Sequence, residues 1–271
     1  MERASVPRRC TSDPLYARDG ATWQASALTR GPWDPHAQHG GAPAALVAGA
    51  LEAMDESRGM AIVRLGYEFL APVPLAPLTL ERRVLRAGRR VVRLGASLLA
   101  GGREVCRVEA LCVRRLPAAA GLATPVEPPP PPGTQQLGSP NGERRTTTFA
   151  GDAMEIVAVD GSYSEPGPAT AWFRLRVPVA AGEETTPVQR VVAAADFANG
   201  ISSVLDWGTH AFLNADLVVH LEREPEGEWV GVDAVTRVGP AGAGLSESVL
   251  YDSGGRIGRG VQALLVERRV A

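Results

Sequence analysis

Residues 191–200 of this 271-residue chain read VVAAADFANG. Val188, Val191, Val192 and Ala195 recur at helical spacing and mark a face that enters a core; Asp196, four residues after Val192, shares that face. A carboxylate there is costly unless a partner or a reaction uses it. It reads either as a capping or ion-paired helix residue or as an acid–base group. Three other polar sites stand in unusual company. Gln262 interrupts the apolar run GVQALLV late in a strand, unless it faces solvent from an alternating strand. Asn214 opens the strand FLNADLVVHLER, where a turn role competes. His39 precedes Gly40 and Gly41 in HAQHGGAP, at the start of a helix. Glycines there let a ligand approach main-chain N–H groups at the positive end of the helix dipole, while His39 also reads as a local cap. Trp207 and His210, in SSVLDWGTH, read as packing and turn residues. Asp, Asn and Gln are poor nucleophiles, but together they can hold a water, the carboxylate as base and the amides as donors and acceptors. A carbonyl under attack also needs a donor, and a helix N-terminus offers one.

Composition removes several alternatives. All 28 basic residues are arginine, so Schiff-base, pyridoxal-phosphate and P-loop chemistry, which need a lysine, are excluded. There is no G-x-S-x-G elbow, no H-E-x-x-H, no paired C-x-x-C and no G-x-G-x-x-G after a strand. No metal and no cofactor is therefore expected. Net charge is −2, without a dominating basic patch, which argues against a nucleic-acid partner. No apolar stretch reaches 18 residues and the start, MERASVPRRC, has no signal-like run, so no membrane partner and a cytoplasmic location are expected. Three cysteines, Cys10, Cys106 and Cys112, are too few and unpaired for a disulfide framework; the latter two read as small core residues.

The elements that must position these groups fall into two halves. ATPVEPPPPPGTQQLGSPNGERRTT contains five consecutive prolines and reads as a linker, giving domains at 1–116 and 148–271 around a proline-rich linker at 117–147. VLRAGRRVVRLGASLL (84–99) resembles VTRVGPAGAGLSESVL (235–250) at an offset of 151, and VEALCVRR (108–115) resembles VQALLVER (261–268) at an offset of 153. That offset sets Glu109 beside Gln262. An internal repeat of half the chain length means a duplicated domain. The first half predicts a helix over 41–54 and strands at 61–70, 77–87, 90–100 and 103–115. The second predicts strands at 148–159 and 170–178, a helix over 187–204 opened by Thr186-Pro187, then strands at 212–223, 228–238, 243–252 and 256–268. One helix and an antiparallel meander, twice over, place the chain in the α+β class.

With HGG before the first helix, AADFANG in the second, FLNADLVVHL in the next strand and GRGVQALLV in the last, the chain resembles the TesB-type, acyl-CoA thioesterase II-like double hotdog thioesterases. The resemblance spans nearly everything but the linker and the first 20 residues. It implies two hotdog repeats, each a long helix wrapped by an antiparallel sheet, with the sheets joined. It also implies hydrolysis of an acyl-CoA or acyl-carrier thioester to acid and thiol, a role in fatty acid metabolism, and room for a homo-oligomer. The family's Asp and Gln fall on Asp196 and Gln262; its Thr or Ser position falls on Asn214, a departure. His39, Gly40 and Gly41 are the expected substrate-binding residues. The first half has no Asp within its helix, so one working site per chain is expected. Two alternatives share the fold: an acyl-thioester hydratase or dehydratase, which would need His39 to meet Asp196, and a non-catalytic acyl-CoA or lipid-binding protein.

Overall fold

Alternating apolar and polar residues, punctuated by glycine turns, build most of the molecule as strands. A computed structural model describes residues 13–116, 124–137, 146–163 and 165–269. In chain order the strands are β1 (Tyr16–Asp19), β2 (Thr22–Ala25), β3 (Met60–Phe69), β4 (Leu78–Arg86), β5 (Val91–Ala100), β6 (Arg103–Arg114), β7 (Gln135–Gln136), β8 (Met154–Ser162), β9 (Glu165–Leu175), β10 (His210–Asn214), β11 (Asp216–Leu221), β12 (Trp229–Val238), β13 (Ala243–Asp252) and β14 (Gly255–Arg268). They form one antiparallel sheet in the order β1-β2-β4-β5-β6-β3-β11-β14-β13-β12-β9-β8-β7, with β10 also on β14. The central run is palindromic: β4-β5-β6-β3 meets β11-β14-β13-β12 at the β3–β11 seam, where Gly66 lies opposite Val218.

The sheet curls around two helices, α1 (Gly41–Glu52) and α2 (Pro187–Ala195), followed by the short α3 (Ala198–Ile201). α1 is buried over most of its surface and rich in alanine, so it can lie close to α2. α2 begins with a capping box. Thr186 accepts the Gln189 N–H at 3.2 Å and Gln189 accepts the Thr186 N–H at 2.8 Å, with Pro187 at the first helical position. The helices run antiparallel. Gln189 donates to the Ala45 carbonyl at 3.1 Å, and Thr186, at the start of α2, donates to Glu52, at the end of α1, at 2.6 Å.

Four local features depart from the expectation. The predicted strand over 148–159 opens as a helical turn, Phe149–Ala153, capped by Thr148, and becomes β8 only at Met154. The predicted helix over 187–204 ends at Ala195, and Asp196 is its C-cap. The predicted strand over 212–223 breaks at Ala215, where one extra residue opposes β14 between the pairs Asn214–Leu264 and Val218–Val261. Glu109 is not the counterpart of Gln262. Gln262 is the eighth residue of β14 and Ala110 the eighth of β6, and Ala110 is likewise buried. Glu109 lies on the outer face, paired with Arg93 at 2.5 Å. The described part of the proline-rich stretch lies against the second half: Trp172 donates to the Pro131 carbonyl at 3.0 Å, Arg256 N–H donates to the Glu127 carbonyl at 2.9 Å, and β7 pairs with β8. Cys106 and Cys112 are buried free thiols, and burial pushes them up to about 12 and about 11. Among the described residues no helix is long and apolar enough to cross a membrane.

Candidate active site

Asp196 sits where the helices meet the sheet. As the C-cap of α2 it lies at the negative end of that helix, an unfavourable place for a carboxylate. The antiparallel neighbour supplies the opposite: Asp196 packs on Gly40 and Gly41, at the positive N-terminus of α1. Terminal dipole terms of this kind amount to about 0.3–1 kcal/mol each. The side chain is 2% exposed, so hydrogen bonds must do the rest.

Three donors converge on it. Asn214 Nδ2 donates to Oδ1 at 2.6 Å, and Gln262 Nε2 approaches the same oxygen at 3.4 Å. His39 Nδ1 lies 2.8 Å from Oδ2. The break at Ala215 ends β10 at Asn214, as bulges do when they re-aim side chains beside functional sites. Gln262 is 1% exposed and its orientation is determined by a main-chain group. The Asn199 N–H donates to Oε1 at 3.2 Å, which turns the NH2 end toward Asp196. The His39 ring stacks on Phe197, centroids 4.3 Å apart, with Phe149 at 5.1 Å. Nδ1 of His39 is also 3.2 Å from the Gly41 N–H. With a proton on Nδ1 the ring donates to Asp196; without it, Nδ1 accepts from Gly41.

The two glycines differ. A methyl on Gly40 would stand 2.9 Å from Oδ2 and 3.0 Å from Oδ1 of Asp196 and 3.1 Å from the Phe69 ring, so glycine lets α1 begin this close to the carboxylate. A methyl on Gly41 would stand 2.6 Å from the Ala193 carbonyl oxygen, inside the contact between α1 and α2. Gly41 is thus a helix-packing residue, and the sequence alone does not separate the two. All six residues singled out in the sequence therefore gather at one place, drawn from both halves. Trp207 stacks on Trp33 at 4.8 Å, and His210 pairs with Thr209 at 2.9 Å, both apart from the Asp196 network. Asn199 was not singled out; its signal is its place three residues after Asp196 in DFANG.

Two surface hollows of about 520 and 540 Å³ lie over β4–β6, lined by Arg83, Ser97 and Glu104 and by Arg86, Arg89 and Arg90. Neither includes a residue of the Asp196 network, and neither gathers comparable chemistry. Among the described residues no cluster of His, Cys, Asp and Glu is arranged to hold a metal ion.

Comparison with known proteins bears on the family and the fold. A model of the acyl-CoA thioesterase N-terminal domain matches residues 29–115, and one of the acyl-CoA thioesterase C-terminal domain matches residues 123–266. No curated protein matches. Among solved structures, a hot dog fold protein of unknown function from Alicyclobacillus acidocaldarius is 16% identical with a TM-score of 0.71, covering 94% of this chain and 96% of its own. The tesB protein of Mycobacterium avium subs paratuberculosis is 16% identical with a TM-score of 0.62, covering 93% and 96%. The acyl-CoA thioesterase II TesB2 of Mycobacterium marinum is 16% identical with a TM-score of 0.61, covering 90% and 97%. At such identities these likenesses speak for the hotdog fold alone. The C-terminal-domain model by itself spans more than half of the chain, and with its N-terminal companion it makes this a member of the acyl-CoA thioesterase family and a thioester hydrolase.

Proposed function

We propose that the chain is a double hotdog in which Asp196 activates water against an acyl-CoA thioester, with one working site per molecule. The observation that carries this is the convergence of Asn214, Gln262 and His39 on a buried carboxylate that no arginine among the described residues neutralises. Oδ1 receives the two amides, so they orient the carboxylate. Oδ2 faces His39 and the start of α1 at Gly40, and takes the proton from water. The oxygen of that water forms the new bond to the acyl carbon while the carbonyl oxygen gains charge, and the N-terminus of α1 is the nearest positive dipole to receive it. Collapse breaks the carbon–sulfur bond. The proton held by Asp196, or passed to Nδ1 of His39, goes to the departing thiolate, leaving acid and free thiol. Asn214 in the position of a family hydroxyl serves as a donor, the role it has toward Oδ1.

The test is thiol release from a panel of acyl-CoAs. The parent should release thiol. Asp196→Asn should lower turnover by ~10²–10⁴, the range for loss of a general base. Gln262→Ala should cost less, and the two losses should combine less than additively because both act through one carboxylate. An Asp196→Asn variant as fast as the parent removes the proposal. A second reading, hydration or dehydration of an acyl thioester, has one observation in its favour, the 2.8 Å approach of His39 to Asp196. Loss of enoyl-thioester absorbance without thiol release would select it. Binding of acyl-CoA with neither reaction would select the non-catalytic alternative.

A further inference from the structure

We infer that Asn199 is a positioning residue for this site, holding the amide of Gln262 and the strand that carries Asn214 in the geometry Asp196 requires. The inference rests on the reading of Asp196 as the base. Asn199 stands in α3, three residues after Asp196, and is 7% exposed. It makes two hydrogen bonds, and each leads to a different arm of the network. Its main-chain N–H donates to Gln262 Oε1 at 3.2 Å, which faces Nε2 toward Asp196. Its side-chain Nδ2 donates to the Phe212 carbonyl at 3.3 Å, two residues before Asn214 on β10.

The logic is mechanical. β10 ends at Asn214, and beyond it the strand shifts register on β14 by one residue. Within α3, Asn199 supplies the bond to β10 that holds this end against the helix. Without it, α3 and β10 lose that tie; β10 keeps its ladder on β14, but the position of Asn214 and of the main-chain N–H that turns Gln262 can shift with α3. An apolar residue at 199 would fill the space yet leave the Phe212 carbonyl without this donor. Asn199 touches no reacting atom. Its effect passes through Gln262 and Asn214, and displacement of a positioned group by about 1 Å is enough to cost ~10²-fold in rate.

The experiment combines kinetics with an observation that does not depend on turnover. Asn199→Ala keeps the main-chain N–H and removes the tie to Phe212. It should lower kcat for thiol release about 10- to 100-fold with KM unchanged. In an Asn214→Ala background the same substitution should cost much less. In NMR spectra the side-chain amide signal of Gln262, assigned by its disappearance in Gln262→Ala, should move in Asn199→Ala. It should stay in place in Ser203→Ala, whose hydroxyl bonds only within its own turn. If Asn199→Ala does not fold, the isosteric Asn199→Asp replaces it with the same expectation. A parental kcat, an equal loss in both backgrounds, or an unmoved Gln262 signal each overturns the inference. If the parent itself releases no thiol, the proposed function fails, and the Gln262 signal alone decides whether Asn199 positions it.

Discussion

The antiparallel helix pair has a carboxylate at each end, and the two ends have opposite character. At one end Asp196, closing α2, packs against the start of α1. At the other Glu52, closing α1, accepts the Thr186 hydroxyl at the start of α2. In both cases the negative end of one helix is met by the positive end of the other. Glu52 is bound by a hydroxyl that caps its neighbour, and burial raises its carboxyl, with the Thr186 bond and nearby Arg115 opposing. It behaves as a structural clasp. Asp196 meets two amides and an imidazole, groups that donate without carrying a permanent charge, and α1 begins against it on a glycine. A carboxylate at a helix end is thus not a site in itself. What distinguishes the two is the donor set: two amides and an imidazole on one carboxylate, a capping hydroxyl on the other.

The largest expected contrast is in turnover. Asp196→Asn should lose ~10²–10⁴ in rate, whereas Glu52→Gln should hydrolyse at the parental rate. A comparable loss in Glu52→Gln would erase the distinction. Next come the adjacent glycines. Gly40→Ala presses a methyl onto the carboxylate and Phe69 and should reduce turnover by about 10–100-fold, with a smaller loss of stability than Gly41→Ala. Gly41→Ala drives a methyl into the Ala193 carbonyl and should cost about 1–3 kcal/mol of stability, a fall in Tm of roughly 2–10 °C. If the two glycine variants exchanged these phenotypes, the division of labour between them would be wrong.

The smallest effect concerns Glu52 and pH. Burial raises its folded-state pKa above the unfolded value, so between the two values the folded chain binds the proton more tightly, and stability falls as pH rises through that window. Above the window ionised Glu52 is a standing cost. Glu52→Gln should therefore melt slightly higher than the parent at pH 7, with the advantage gone below about pH 4, where the unfolded carboxyl is protonated too. Melting curves that run parallel at all pH values would show that Glu52 is not desolvated in the folded state.

Much of this was legible in local patterns. Helix α1, strands β3–β6 and strands β12–β14 fall within one or two residues of the apolar periodicity, because each buries one face of a regular element. Asp196 announced itself by lying on such a face. The contact between His39 and Asp196 had no local signature, since it depends on how two halves of the chain dock. The helix end at Asp196 was hidden because Phe197, Ala198 and Ile201 continue an apolar helical pattern past it. Glu109 was set beside Gln262 because an alignment offset of 153 differs by one from the offset of the strands themselves. In a strand, one residue exchanges inside for outside. β7 and the β1–β2 hairpin are too short for periodicity to register.

The β3–β11 seam has a further meaning. Asp196, Asn214 and Gln262 come from one side of it and His39 and Gly40 from the other, so neither half holds the whole constellation. As separate chains, the halves would form the constellation only in pairs, in proportion to the product of their concentrations. Covalent linkage fixes the ratio at one to one and replaces that encounter by an effective concentration, on the order of millimolar for a short flexible connection. Under that guarantee each half can change independently. The second half can keep the amide of Gln262 while the first carries alanine at the matching place, Ala110, and the molecule remains functional when it is dilute.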